Sequence, residues 1–557
     1  MATALLLLAA AAAAAATNER FVDTTSGRLR GAWNASIGAF QFMGVPYAAP
    51  PVGSLRWAPP EPYMALPGVR DCRSFEAQGP RCPQRRSSSF ATSEDCLRLS
   101  IWTPSDAAAA DPSDAAAADP SAAAAADLPV MVYLHGGSLV GGGAVSLQAA
   151  DGGVGSLASA GRVVSASVAY RLGVLGFLAS PALESARGTS GNYGLLDVIS
   201  ALEWVKANAR SFGGDPQRIT VYGQSSGGSL VFALLASPLA RGLFRRAISM
   251  SGSPRLNSTL EEAYGYWHRE PVLATRCAAL IDGPELRDCL YSLDASELVA
   301  AQPDDWDAAT FSYSLFDEDY RYAPLLLVDG RVLPRDYREA DYDADVATIV
   351  GVTRQEADFS PGDDARNWTA EDMAAFLANE TAHLGRDFVD GLLDAYDVRG
   401  RAAPLDAQRL YSEILADASV FCPTLVLARA MPDPAVYSTS ARPGRPYAPL
   451  APLQIVRGYE PLYAFHAVDM FMLFNFTNGY AMTDGDRAYS RSLVSAFAGF
   501  ARDGALPPGW RRFSGDGSYG VVDWRDGTTA TTATNLKKRQ CKFWLRHDAY
   551  RRYAWVN

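Results

Sequence analysis

In the run Val221-Tyr222-Gly223-Gln224-Ser225-Ser226-Gly227-Gly228-Ser229, a serine stands between glycines placed two residues to either side. This G-x-S-x-G spacing suits a nucleophile elbow, in which a strand turns sharply into a helix and presents a serine oxygen at the turn. Glycine is needed at Gly223 and Gly227 because strand and helix come too close around such a turn to admit side chains. The middle serine of the spacing is Ser225, so Ser225 is the expected nucleophile. The chemistry is acyl transfer, and serine, a poor nucleophile at neutral pH, requires a base within hydrogen-bond reach and a carboxylate to orient that base.

The chain holds five histidines from which the base must come. His135 opens the glycine-rich run His135-Gly136-Gly137-Ser138-Leu139-Val140-Gly141-Gly142, whose glycines let backbone N–H groups turn toward an oxygen gaining negative charge. His547 lies beside a cysteine-containing segment, and His268 and His383 sit in polar, helix-like contexts expected on the surface. His466, in Tyr463-Ala464-Phe465-His466-Ala467-Val468-Asp469, is the remaining candidate. Hydrolases with this elbow order their triad Ser, then acid, then His, so the acid falls between Ser225 and His466. Glu356 follows the strand-like Ile349-Val350-Gly351-Val352 and is favoured, with Asp358 a close competitor.

The elements needed to position these groups are legible as alternation. Pro129 to Leu134 is a continuous apolar run ending at glycines, as expected for a strand buried on both faces. Strand patterns over Leu97–Trp102, Arg162–Ala169, Arg218–Tyr222, Phe244–Met250 and Val346–Val352 alternate with helical spacing over Leu195–Ala209 and Ser229–Ala236. Such alternation predicts an α/β fold, a mostly parallel sheet with helices on both faces. The stretch from about residue 257 to residue 340 is mixed and yields no order from periodicity.

Composition bounds the rest. A formal net charge of −11 argues against a polyanionic partner such as nucleic acid. Residues 1–16 combine an apolar stretch with a small-residue exit near Ala14-Ala15-Ala16, the pattern of a secretory signal preceding a single large domain over 17–557. This stretch is short and Ala-rich for a membrane span, and the C-terminal RRYAWVN carries neither an apolar tail nor a retention tetrapeptide. Residues 105–127 repeat SDAAAADP and then decay, too poor in large apolar groups for a core, and read as a surface insertion. Asn34, Asn257, Asn367, Asn379 and Asn475 each begin an N-glycosylation sequon. Of the seven cysteines, Cys82 with Cys96 and Cys277 with Cys289 are spaced for short disulfide loops, and no C-x-x-C pair suggests a metal. No cofactor is expected.

Together these residues resemble the type-B carboxylesterase and cholinesterase family of α/β-hydrolases over nearly all of the mature chain. The likeness is carried by Phe42-Met43-Gly44-Val45-Pro46-Tyr47-Ala48, Ser93-Glu94-Asp95-Cys96-Leu97, Tyr170-Arg171-Leu172-Gly173, Asn192-Tyr193-Gly194-Leu195-Leu196-Asp197, Phe212-Gly213-Gly214-Asp215-Pro216 and Ser251-Gly252-Ser253-Pro254. The resemblance implies a triad of Ser225, Glu356 and His466, with oxyanion donors at the backbone N–H of Gly137, Ser138 and Ser226. Ser226 is then expected to act mainly through that N–H. The resemblance also implies disulfides Cys82–Cys96, Cys277–Cys289 and Cys422–Cys541, leaving Cys72 odd.

This chain departs from the family pattern at four places. Gln224 and Ser226 replace the usual Glu and Ala around the nucleophile, and Ser138 and Ala357 stand where glycine is usual. A residue with a Cβ forced to positive φ at Ser138 carries a cost of about 1–2 kcal/mol. The loop between Cys82 and Cys96 lacks the Trp whose face holds quaternary ammonium in cholinesterases, and it is short for a lipase lid. A secreted esterase for small or neutral carboxylic esters is therefore expected, with a lipase, a cholinesterase or a neuroligin-like adhesion protein as alternatives. Retention of all three triad residues favours the enzyme.

Overall fold

A computed structural model describes residues 18–85, 90–105, 127–144, 153–184, 190–252, 258–265, 267–306, 323–359, 363–399, 405–445, 461–475, 480–513, 520–524 and 530–547. The expected leader over 1–16, and all of the Ala/Asp-rich insertion except Ser105 and Asp127, lie outside these residues.

Thirteen strands among the described residues form one sheet: β1 Glu19–Thr24, β2 Gly27–Asn34, β3 Ala39–Pro46, β4 Val69–Asp71, β5 Arg98–Pro104, β6 Leu128–Leu134, β7 Val164–Val168, β8 Gly214–Gln224, β9 Arg246–Met250, β10 Ala347–Thr353, β11 Ala435–Thr439, β12 Gly520–Trp524 and β13 Ala530–Thr534. Their order is β1-β2-β3-β5-β7-β6-β8-β9-β10-β11-β12-β13, with β4 on β2. From β7 through β12 every pairing is parallel, while the strands before β7 and the final β12–β13 pair are antiparallel, apart from the parallel β2–β4 contact. The parallel centre is thus the part that the βα alternation predicts.

Strand β6 shows why that centre is buried on both faces. Val130, Val132 and Leu134 enter one hydrophobic core, and the intervening Met131 and Tyr133 enter a second. Period-two geometry sends successive side chains to opposite faces, so a strand apolar at every position requires a helical layer on each side. Helix α1, Tyr193–Asn208, and helix α2, Ser226–Ala236, supply the first layer through Leu195, Val198, Leu202, Leu230 and Leu234. Further along the chain come α3, Ala407–Ala416, α4, Val468–Leu473, and α5, Asp484–Asp503. Helix α5 lays Leu493, Phe497 and Phe500 into the second core at helical spacing. A reciprocal capping box of Thr483 and Asp486 starts α5, and Gly504 in the left-handed region ends it.

Two boundaries differ from the sequence expectation for one reason. Strand β8 runs to Gln224 and α2 begins at Ser226, three residues before the predicted Ser229, because the turn between them consists of Ser225 alone. Gly227 and Gly228 weaken helix propensity there, and tertiary packing overrides it.

Buried polar bonds tie the N-terminal third to the sheet. Arg171, 3% exposed, pairs with the buried Asp197 at 2.6 Å and donates to the Arg56 carbonyl at 2.7 Å. Arg56 in turn pairs with Glu94 beside the first disulfide. The three disulfides join Cys82 to Cys96, Cys277 to Cys289 and Cys422 to Cys541, and Cys72 is a buried thiol. One helical run among the described residues, Ala407–Ala430, is long and apolar enough to cross a membrane, but it packs largely inside the protein.

The Cys422–Cys541 bond anchors α6, Lys538–Arg546, across a separation of 119 residues. The chain-entropy model assigns such a closure about 5 kcal/mol, against about 3 kcal/mol for the two short loops. A Cys422→Ser/Cys541→Ser variant is therefore expected to shift the denaturant midpoint more than removal of either short-loop pair, measured by equilibrium unfolding without reductant.

Candidate active site

The parallel strands end together. Leu134 of β6 is in register with Gly223 of β8, Gly223 with Ser249 of β9, and Met250 with Gly351 of β10. In open α/β sheets the C-terminal strand edge is where ligands bind, and the glycine-rich run, Ser225 and Glu356 follow β6, β8 and β10 at that edge.

Ser225 follows β8 with φ 59° and ψ −130° and is partly exposed. A side chain at Gly227 would place its Cβ 2.1 Å from the Leu134 carbonyl oxygen, and one at Gly223 would stand 2.3 Å from the Gly227 carbonyl oxygen. Only glycine fits either position, and the close contact holds Ser225 in its strained conformation. The Ser225 N–H is satisfied by the Met250 carbonyl at 2.9 Å.

Glu356, 1% exposed, occupies a short helical turn, Glu356–Phe359, just after β10. Its Oε2 lies 2.6 Å from His466 Nδ1. Its Oε1 accepts from the Ser251 hydroxyl at 2.6 Å and from the Thr353 N–H at 2.8 Å. These bonds fix the direction of the carboxylate. Asp358 has a different task. It accepts from the N–H groups of Leu462 and Tyr463, both at 2.7 Å, and from Gln408 Nε2. Asp358 therefore holds the segment that carries His466, while Glu356 meets the imidazole itself. The Gln355 N–H to Ala464 carbonyl and His466 N–H to Glu356 carbonyl bonds lace the same two segments together.

His466 is 9% exposed, and its Nε2 stands 3.0 Å from Gln224 Nε2. Behind it Asp469 is fully buried and accepts from the Tyr437 hydroxyl at 2.6 Å. Burial, reinforced by nearby Glu356, pushes the Asp469 carboxyl up to about 6.

The glycine-rich loop after β6 passes over the elbow. Ser138 and Leu139 take φ 57° and 59°, so the strain expected at Ser138 is present and extends to its neighbour. Among the described residues, the N–H groups of Gly137, Ser138 and Ser226 donate to no protein acceptor. Gln84, two residues beyond Cys82, clamps Gly142 with both ends of its amide at 2.8 and 2.9 Å. His135 is buried against Tyr170, ring centroids 4.3 Å apart, and burial pushes it down to about 4, so it is a neutral part of the loop's foundation.

The remaining histidines divide. His383 is exposed, as expected, and so is His547. His268 is not on the surface: it is 1% exposed, bridges the Ala179 N–H and the Pro324 carbonyl, and is pushed down to about 4 by burial. Its polar sequence context hid two backbone partners distant in the chain. Of the sequon asparagines, Asn367 and Asn379 are exposed, Asn34 and Asn475 are half-buried, and Asn257 lies outside the described residues. Ala357 is buried in a third hydrophobic core.

Sequence reasoning missed Ser251 and the side chain of Ser226. Ser251 stood in a recognised motif with no role attached. The Ser226 hydroxyl, fully buried, accepts the Leu139 N–H at 3.1 Å and so pins the glycine-rich loop to the elbow.

A carboxylesterase family model matches residues 18–544. Liver carboxylesterase of Sus scrofa is 29% identical over 94% of this chain and 92% of its own length, and carboxylesterase 3 of Pongo abelii is 30% identical over 88% and 85%. Fumonisin B1 esterase of Sphingopyxis macrogoltabida is 46% identical over a shorter stretch, 40% of this chain and 38% of that enzyme. The solved structure of a PNB esterase superposes with a TM-score of 0.70 at 26% identity, covering 94% of this chain and 99% of that one.

Ser226→Ala leaves the Leu139 N–H without its acceptor inside the protein, which costs on the order of 1–3 kcal/mol. The expected result is a lower midpoint in chemical denaturation and a several-fold lower kcat, whereas a neutral substitution would show that the loop holds its conformation unaided.

Proposed function

This chain belongs to the carboxylesterase family, and from that premise we propose that it is a secreted carboxylic ester hydrolase working through Ser225, His466 and Glu356. The observation that supports the reading most is the 2.6 Å contact between His466 Nδ1 and Glu356 Oε2 at the strand edge that also bears the Ser225 elbow. Glu356 holds the imidazole proton on Nδ1 and leaves Nε2 as the acceptor. Ser225 transfers its hydroxyl proton to that nitrogen as its oxygen adds to the ester carbonyl. Negative charge then develops on the former carbonyl oxygen, and the uncommitted N–H groups of Gly137, Ser138 and Ser226 are the donors available to it. Collapse expels the alcohol, which takes the proton from His466, and water repeats the sequence to release the acid.

Preference for a small or neutral ester over a choline ester rests on the Cys82–Cys96 loop. Its one aromatic residue, Phe90, is faced by the Arg81 guanidinium 3.6 Å from the ring centroid. The ring of this one aromatic side chain is thus already engaged by an internal cation and does not replace the missing Trp. Secretion is supported by the apolar leader, the sequons and three disulfides, which persist in oxidising compartments. The likeness to fumonisin B1 esterase adds that ester to those worth assaying.

The decisive comparison is hydrolysis of aryl, triglyceride, thiocholine and fumonisin B1 esters by wild type and Ser225→Ala. Loss of a triad nucleophile is expected to lower kcat by about 10⁴-fold or more on every ester that the wild type cleaves. Equal rates in the two proteins would sink the mechanism, and thiocholine esters cleaved best would overturn the substrate preference.

A further inference from the structure

Gln224 lies beside the nitrogen that has to receive the serine proton. It closes β8, is 3% exposed, and carries its Nε2 to 3.0 Å from His466 Nε2. Because His466 Nδ1 faces the Glu356 carboxylate at 2.6 Å, a neutral imidazole keeps its proton on Nδ1 and offers a lone pair at Nε2. That lone pair can be met only by a donor, which is the NH₂ end of the Gln224 amide. The Oε1 end packs toward Gly136, 3.3 Å from where a Cβ at that residue would stand.

We propose that Gln224 is a positioning residue that holds His466 as an uncharged acceptor in the resting site and yields its place to the Ser225 hydroxyl when substrate binds. This rests on the reading of Ser225, His466 and Glu356 as the triad. A hydrogen bond donated to the neutral form of a base stabilises that form. The amide, 3.0 Å from Nε2, therefore holds that nitrogen as an acceptor turned toward the elbow. A carboxylate at the same place acts in the opposite sense, since it cannot donate to a lone pair and instead draws a second proton onto the ring. Gln224 also removes a competing anion from a site already carrying Glu356.

The titratable and charged groups on the elements around His466 are Arg354, Glu356 and Asp358 from the end of β10 and its following turn. Tyr437 lies on β11, Asp469 on α4 and His135 at the end of β6. All of these are common to wild type and Gln224→Glu. A difference between the two pH profiles therefore reports position 224.

The test measures kcat/KM against pH for wild type, Gln224→Glu and the non-donating isostere Gln224→Met on an aryl ester. The acidic limb is expected to move to higher pH by about one unit in Gln224→Glu, equal to a tenfold loss well below the midpoint. Gln224→Met moves it less and in the same direction. Coincident acidic limbs in active wild type and Gln224→Glu overturn the inference while leaving the triad intact. Loss of Ser225-dependent hydrolysis in wild type instead condemns the functional reading. The imidazole titration is also read without turnover, by NMR of ¹³Cε1-labelled histidine with His466→Gln assigning the signal. A midpoint that does not rise from wild type to Gln224→Glu there overturns the inference whatever the ester assays show.

Discussion

The contact on which the site depends is the approach of α2 to the end of β6, where the Gly227 backbone lies so near the Leu134 carbonyl that no Cβ could be admitted. Bringing a helix this close to the sheet leaves one residue, Ser225, to make the whole turn, and it does so at positive φ. The strain is held in place by the parallel pairing of β8 between β6 and β9 and by the buried apolar face of α2. The same approach brings the glycine-rich loop after β6 over the elbow. There the Ser226 hydroxyl fastens it through Leu139 and Gln84 fastens it through Gly142.

A second set of bonds answers a different requirement, that an imidazole and a carboxylate be brought together from segments 110 residues apart. Packing alone would not hold an imidazole to hydrogen-bond tolerance. The two segments are joined by backbone bonds from Gln355 and His466 and by Asp358, which accepts two consecutive N–H groups of the histidine segment. Glu356 itself is buried yet fully engaged, with one oxygen shared by Ser251 and Thr353 and the other left for His466. A buried carboxylate with three hydrogen-bond partners costs far less than an unpaired one, and it transmits a single orientation to the ring. Asp469, close behind, is buried with a single tyrosine hydroxyl and the Met470 N–H, and its carboxyl is pushed upward accordingly.

The elements were legible where the pattern had one physical meaning. The apolar run ending at Leu134 could bury both faces only inside a parallel sheet, and β6 does so, Val132 on one side and Tyr133 on the other. Legibility failed where a residue's environment is assembled from distant segments. His268 reads as a surface residue beside Arg269 and Glu270, yet its two ring nitrogens are taken by backbone groups near residues 179 and 324. The choice between Glu356 and Asp358 was likewise beyond spacing, because both leave the same strand and both are buried and hydrogen-bonded. Only their partners distinguish them.

By itself the sequence determined the α/β alternation, the glycine spacing around Ser225 and the glycine-rich run after Leu134, since each is set by local spacing or by a backbone conformation that few residues adopt. The tertiary structure decided which oxygen of Glu356 meets which nitrogen of His466, that Ser251 and Thr353 aim it, and that the Ser226 hydroxyl ties the loop down. It also decided that Gln224, which stands where the family usually has Glu, lies 3.0 Å from Nε2 of His466. These are contacts between segments remote in the chain. Their geometry follows from how the strands stack in register, and no local pattern encodes it.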